Sequence, residues 1–297
     1  MGFSSWFQSR PSGDRNGPQP NGPQANATPA RPNAQPRTTA PTFEQIRANA
    51  ILEPGMSGPS ASELQQRLTK LGFVTPVTGT HDAGSQGALR LFQGKYGVQQ
   101  NGRLGPTTLA VLDKAMRCSV TLEQFAKIAG LPLADAAKEL PGLNASMYFA
   151  EINTVQRKAT YLAQLGHESM GFSQFEEFAS GADYEGRRDL GNTQRGDGKR
   201  YKGRGAIQLT GRANYRSATA DLKPMLGDTD LEQNPERADD PDVRYLTAAW
   251  FWNERDLNRH ADKGNFDTVT SRINGGQNGR ADRRQRYQKA LKVLQAG

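Results

Sequence analysis

The sequence predicts a mainly α-helical chain with a short β element, and three observations carry that prediction. Apolar residues recur at three- and four-residue steps, first at Leu64, Leu68 and Leu71 and later at Ile152, Val155, Ala159, Leu162 and Leu165. That spacing places one apolar stripe on a helix face. Glycine and proline punctuate the ends of such segments, as at Gly72 and Gly105-Pro106, where helices stop and start. Alternation of side chains is confined to one short stretch, Ala206 to Thr210, which reads as a brief extended piece with Gln208 and Thr210 on one face.

A length of 297 residues fits about two domains. The hydrophobic content is low, 35%, and the shortfall lies at the N-terminus, where ten of the seventeen prolines precede Ser60. Residues 1–59 therefore read as a flexible Pro-rich arm, with one short helix between Thr42 and Leu52. Met1 to Phe7 lacks a basic region and an apolar run, so a signal peptide is not expected, and no segment reads as a membrane span. The lone Cys118 excludes an intrachain disulfide.

The net charge of +8 and a pI near 9.6 suggest a polyanionic partner. Basic residues cluster only in the final helix, at Arg280, Arg283, Arg284, Arg286, Lys289 and Lys292. No nucleic-acid module or interleaved aromatics accompany them. Nucleic acid is therefore not expected, and Arg280, Arg283, Arg284 and Arg286 are candidates for meeting an anionic envelope surface.

Residues 60–117 form the first compact unit. Leu64, Leu68 and Leu71 make one helical face, with Ser62 as its N-cap; Ala88, Leu91, Phe92 and Tyr96 make a second; Thr108, Leu109 and Leu112 make a third, opened by Pro106. Gly79 and Gly102 sit in the connecting loops, where tight turns are expected. Together, Leu64-Gln, Leu71-Gly-Phe73, Gly79, Leu91-Phe-Gln93 and Asn101-Gly, followed by Gly105-Pro106 and Thr108, resemble the three-helix peptidoglycan-binding domain of cell-wall hydrolases. Thr78 and His81 depart from that family's usual residues.

Residues 120–297 form the second domain, opened by a capping box of Thr121 and Gln124, with helices expected near 122–129 and 133–139. Glu168 lies on the flank of the Ile152–Leu165 stripe, and Gly171 ends that helix. A carboxyl half-embedded in apolar surroundings has its charged form disfavoured, which suits a general acid at neutral pH. Glu176 and Glu177 follow in an irregular stretch, so either could face Glu168 across a cleft. Paired carboxylates of this kind hydrolyse glycosides, one protonating the leaving oxygen while the other activates water or attacks the sugar. The same residues would also fit an ordinary helix salt bridge beside a solvated Glu pair. His167-Glu168 begins an H-E-x-x-H pattern, but Gly171 stands where the second histidine belongs. Ser169 likewise lacks the leading glycine of G-x-S-x-G. With three histidines and one cysteine in the chain, no metal or other cofactor is expected. Gln208 and Thr210 offer an amide and a hydroxyl that can orient sugar groups or water, and Asn214 can join them. Trp250, Phe251 and Trp252 fit buried core better than a sugar platform.

Gly166-His-Glu168-Ser, Glu177 nine positions later, Tyr201 with Gly203-Arg-Gly205 and Gln208-x-Thr210, Asn214-Tyr215, and Ile273-Asn-Gly-Gly276 together resemble glycoside hydrolase family 19 in its short endolysin form. The resemblance implies a two-lobed, lysozyme-like helical fold and an inverting mechanism. It implies Glu168 as acid and Glu177 as base, with His167, Tyr201, Gln208, Thr210, Asn214 and Asn274 contacting substrate or orienting the water. Inversion needs carboxyls roughly 6.5–9.5 Å apart, which a nine-residue connection can span. The expected protein is thus a monomeric wall lysozyme that cuts β-1,4 links in peptidoglycan glycan strands. It would be made in the cytoplasm and reach the wall by holin- or secretion-dependent release. A chitinase, or a secreted antibacterial effector with the same chemistry, is the alternative.

Overall fold

The structure, a computed structural model, describes residues 39–296. It is mainly helical, and among the described residues β pairing is limited to isolated bridges. In chain order the N-terminal half holds α1 (Phe43–Arg47), α2 (Pro59–Lys70), α3 (Ala83–Lys95) and α4 (Pro106–Cys118). The rest holds α5 (Leu122–Ala129), α6 (Leu133–Phe149), α7 (Val155–Glu168), α8 (Asp197–Arg200), α9 (Arg212–Leu226), α10 (Arg244–Glu254), α11 (Leu257–Asp262), α12 (Phe266–Asn274) and α13 (Arg280–Gln295).

The three-helix unit forms over the expected segments, with one change of face: Leu91, expected inside, is exposed, and Leu89 takes its place in the core. Leu64, Leu68, Leu89, Phe92, Leu109 and Leu112 are fully buried. The start of α2 lies earlier than Ser62: Gly58 is the N-cap and Pro59 occupies the first turn, where a missing N–H costs nothing. The Pro-rich arm also needs correction. Its first 38 residues lie outside the described residues, but the stretch from Thr39 onward is packed. Phe43, Ile46 and Leu52 are buried, Leu52 pairs with Leu104 through backbone bonds of 3.1 and 3.2 Å, and a Thr42–Gln45 capping box opens α1. Apolar side chains between the prolines supply the burial that composition alone obscured.

His81, one of the family departures, ties the two glycine turns together. It is fully buried; its Nε2 lies 2.8 Å from the Gly102 carbonyl and its Nδ1 3.0 Å from the Ser85 hydroxyl. A carbonyl only accepts, so Nε2 carries the proton and Nδ1 accepts. Burial lowers the imidazole below its ordinary value, with the Gly102 carbonyl pulling the other way.

This unit shares its core with the rest of the chain. Asn144 of α6 accepts from the Val120 N–H at 3.0 Å and donates to the carbonyls of Val120 and Leu71 at 3.2 and 3.4 Å. Tyr96 packs edge-on against Tyr148 at 5.1 Å and stacks with Phe149 at 6.4 Å. Gly72 sits so close to Pro141 that a Cβ there would meet the proline ring at 2.9 Å. Beyond it, α6 runs ten residues past its expected end, to Phe149, carrying Pro141 in its interior. It packs against α5 and α10, while α13 lies along α7. Trp250, Phe251 and Trp252 of α10 are buried core.

Two predictions arise from this packing. Removing residues 60–116 would bare Tyr148, Phe149 and Asn144, each aromatic ring losing about 1.5–3 kcal/mol of burial. The remaining chain should melt at least about 10 °C below the full protein in a thermal scan, whereas equal melting points would mean that the two units are merely tethered. His81 gives a pH signature. Because its folded value is lowered, its contribution is present above about pH 6.5, the unfolded imidazole value. It is lost as pH falls through the folded value. Urea unfolding at pH 7.5 and pH 5 should show this loss in the wild type and a smaller one in His81→Gln; identical pH slopes would contradict it.

Candidate active site

Glu168 closes α7, the last helical residue before Ser169 caps it. The chain then turns sharply: the Ser169 hydroxyl donates to the Leu165 carbonyl at 2.7 Å and accepts from the Phe172 N–H at 3.0 Å. Met170, Gly171 and Phe172 all take positive φ, at 49°, 79° and 65°. Left-handed backbone at non-glycine residues is uncommon and persists where packing over-determines it. Here Phe172 is held edge-on against Phe125, ring centres 5.0 Å apart.

The apolar flank expected around Glu168 is replaced by a guanidinium. Arg283 of α13, 2% exposed, donates through Nη2 to Glu168 at 2.5 Å, through Nη1 to Gln164 at 2.6 Å, and through Nε to the Asn278 carbonyl at 3.2 Å. Gln164 in turn donates to Thr270 at 2.9 Å. One buried cation thus fixes the acid's position relative to α7, α12 and α13.

His167 sits beside Glu168 in the chain, and its Nδ1 pairs with Asp282 at 2.7 Å. Arg286 donates to the same Asp282 oxygen at 2.7 Å. Burial raises the Asp282 carboxyl, but the bonds from His167 and Arg286 outweigh it and leave the group below the usual range. Gly279, in the loop that enters α13, lies against the His167 ring so closely that no side chain fits there. Asn274 ends α12 and organises that loop, donating to the Asn278 carbonyl at 2.9 Å and accepting from the Gly276 N–H at 2.8 Å.

The acids at 176 and 177 are treated differently. Glu176 is paired away, with Arg204 at 3.1 Å and Lys202 at 3.3 Å. Glu177 accepts at one carboxylate oxygen from the Tyr184 hydroxyl at 3.0 Å and at the other from the Gly203 N–H at 3.0 Å. Burial, followed by the bond to Glu177, pushes the Tyr184 hydroxyl up to about 12, so it stays a protonated donor. The Glu177 N–H also donates to the Gly203 carbonyl at 2.9 Å, and Lys202 donates to the Glu177 carbonyl at 3.0 Å.

The stretch from Ala206 to Thr210 is a tight turn and not an extended piece. Arg204 and Leu209 pair through backbone bonds of 3.2 and 2.8 Å, and the chain between them reverses with Gly205 at φ 78° and Gln208 at φ 55°. The turn still gathers the polar groups that sequence alternation assigned to one face. A Cβ placed on Gly203 would meet Gln208 Oε1 at 2.8 Å, Glu177 Oε2 at 3.3 Å and Thr210 Oγ1 at 3.3 Å. Gln208 donates to the Gly205 and Phe175 carbonyls at 3.1 and 3.3 Å, Thr210 to the Gln208 carbonyl at 2.9 Å, and Asn214 to the Thr210 carbonyl at 2.8 Å. Glu177, Gln208 and Thr210 therefore gather around Gly203, with Asn214 joined to them through the Thr210 carbonyl, while His167, Glu168 and Asn274 belong to the α7–α13 side.

Two sequence expectations are corrected. Tyr201 is 1% exposed, its hydroxyl donates to the Glu232 carbonyl at 2.9 Å, and Arg212 stacks over its ring at 4.7 Å. It supports the turn from beneath and cannot touch a bound molecule. Of the arginines expected to meet an envelope, Arg283 is buried on Glu168 and leaves the surface, while the half-exposed Arg280 and Arg284 share Asp267 and Arg286 pairs with Asp282. In the sequence alone Arg283 has only a surface role and Tyr184 is passed over. Arg283 sits in a run of basic residues with no periodic signal. Tyr184, seven positions after Glu177, was the one aromatic in a polar run and could have been noticed.

The family model for class I chitinases matches residues 132–290, and the model for a peptidoglycan binding domain matches residues 57–112. A glycosyl hydrolase family 19 domain-containing protein of Haemophilus influenzae is 33% identical over 173 residues, covering 48% of this chain and 81% of that relative. An endochitinase of Arabidopsis thaliana is 38% identical over 136 residues, 45% of each chain, so the match spans less than half of the plant protein. A spore cortex-lytic enzyme of Bacillus cereus is 39% identical over 71 residues, 24% of this chain and 27% of the relative.

The Arg283 network makes a stability prediction. Arg283→Ala would leave Glu168 and Gln164 without their buried partner and should cost about 3–5 kcal/mol in urea unfolding. A loss under about 1 kcal/mol would mean that the pair is solvated and contributes little.

Proposed function

The chain belongs to glycoside hydrolase family 19 and carries a peptidoglycan-binding domain, and from that premise we propose a wall lysozyme of the endolysin kind that cuts β-1,4 links of peptidoglycan by an inverting mechanism. Glu168 is the general acid. It acts in its protonated form, gives that proton to the leaving oxygen, and becomes the carboxylate that the neighbouring Arg283 guanidinium stabilises. Glu177 is the general base. Each of its carboxylate oxygens uses one acceptor site, on Tyr184 or on the Gly203 N–H, and keeps another for water. Gln208 and Thr210, beside it around Gly203, orient that water towards the anomeric carbon on the face opposite Glu168.

The observation that carries this reading is the contrast between the adjacent acids. Glu176 is neutralised by Arg204 and Lys202, whereas Glu177 is held only by a hydroxyl and a backbone N–H. A wall glycan as substrate is supported by the peptidoglycan-binding match and by the short connection between the acids. The spore cortex-lytic relative agrees with it. The chitinase description of the family model favours a second reading, cleavage of N-acetylglucosamine polymers by the same residues. Action at the wall requires release from the cytoplasm, by a holin or a secretion route.

Substitution separates the roles. Glu168→Gln and Glu177→Ala should each lower lysis more than a hundredfold with the fold intact, while Glu176→Ala should change it by less than about tenfold, roughly 1.4 kcal/mol of barrier. Azide added to Glu177→Ala should restore some cleavage with inverted product. Loss of activity in Glu176→Ala alone would move the base back one position. Clearing of outer-membrane-stripped cells, compared with sugar release from chitin, distinguishes the two substrates.

A further inference from the structure

A groove of about 960 Å³ lies on the binding unit between one face of α2 and the end of α4, closed at one side by α1. Its charged lining is Arg47, Glu63, Arg67, Lys70, Asp113 and Arg117, with Met116 contributing apolar surface. Four cations against two carboxylates leave the groove with two positive charges in excess. The pairing within it is specific. Arg67 donates to Asp113 at 2.6 Å and to Glu63 at 2.5 Å, and Arg47 donates to the second Asp113 oxygen at 2.9 Å. Arg67 also lies over the Phe43 ring at 4.8 Å. Lys70 and Arg117, both exposed, have no ion-pair partner among the described residues.

The chemistry of this lining selects a ligand. No aromatic ring lines the groove, so it offers no stacking platform for a sugar. It offers fixed guanidiniums flanked by free cations, an arrangement that receives carboxylates. It also holds a half-exposed carboxylate, Glu63, that can receive an amine. Arg47, Asp113, Met116 and Arg117 fall outside the 57–112 match to the binding-domain family, so flanking segments complete a groove whose other wall is α2. The packed part of the N-terminal arm thereby gains a role, since it delivers Arg47.

We propose that this groove binds the acidic stem peptides of peptidoglycan, Lys70 and Arg117 taking their free carboxylates and Glu63 an amino group. The proposal rests on the reading that the wall is the substrate, and adds that the binding unit recognises peptide while the catalytic cleft recognises glycan.

Co-sedimentation of the full chain carrying Glu168→Gln, which prevents digestion, tests it on three materials at low salt: protein-free sacculi without phosphate polymers, the same glycan stripped of peptides by an amidase, and sacculi bearing phosphate polymers. Affinity should fall at least tenfold when the peptides are removed, fall similarly in Lys70→Glu/Arg117→Glu on intact sacculi, and weaken steeply with salt. With Glu168 restored, Lys70→Glu/Arg117→Glu should cleave short soluble glycans at the wild-type rate. Equal binding to stripped glycan, or undiminished binding of the charge-reversed chain, would overturn the groove assignment and leave the enzymatic reading standing. Binding that needs the phosphate polymers would assign the groove to phosphate instead and equally overturn it. A wild-type chain that neither binds nor cleaves sacculi yet releases sugar from chitin would bring down the wall reading and this proposal together.

Discussion

The buried guanidinium of Arg283 is the constraint on which the catalytic half depends. Taking a charge out of water costs several kcal/mol unless its donors are satisfied, and here they are met by Glu168, Gln164 and the Asn278 carbonyl. The pairing spans 115 positions of sequence and joins the end of α7 to α13. Only when the two helices lie side by side is the charge compensated, so the contact that stabilises their packing also fixes the acid. Asp267 and Asp282 do the same for the neighbouring arginines and turn a run of like charge into a set of cross-links.

The second acid rests on a different kind of support. Glu177 is positioned by backbone: the Gly203 N–H and carbonyl grip its carboxylate and its own N–H, and Tyr184 closes the other side. That grip requires Gly203 to approach Gln208, Glu177 and Thr210 more closely than a side chain would permit. It also requires left-handed backbone at Gln208. Strain of this kind is held in place by surrounding packing, here by Tyr201 and Tyr215 beneath the turn, ring centres 5.4 Å apart. Rigid support of each carboxylate is what pre-organised acid/base chemistry needs.

The three-helix unit and the family 19 domain are physically continuous. Asn144, Tyr96 and the Gly72–Pro141 contact weld the binding unit to α6. A welded unit holds a fixed orientation to its neighbour, which a flexible tether does not do.

The sequence by itself determined the helical class, the apolar faces of α2 and α4 and most of that of α7, the capping box at Thr121, and the residue types available for acid/base work. These are local properties, set by side-chain period and by the turn preferences of Gly and Pro, and they survive in any tertiary arrangement. The tertiary structure decided what the surroundings of those residues are. Glu168 met a guanidinium and not an apolar flank, because Arg283 arrives from a helix whose approach no local pattern encodes. Tyr201 went under the turn, because the pairing of Arg204 with Leu209 reverses the chain and directs the ring towards Arg212 and Tyr215. The adjacent acids at 176 and 177 are chemically equivalent as letters. Only the placement of Arg204 and Lys202 against one, and of Tyr184 and Gly203 against the other, gives them different environments. The reason is common to all three cases: electrostatics and hydrogen bonding act through space, between residues whose separation in sequence carries no information about their distance.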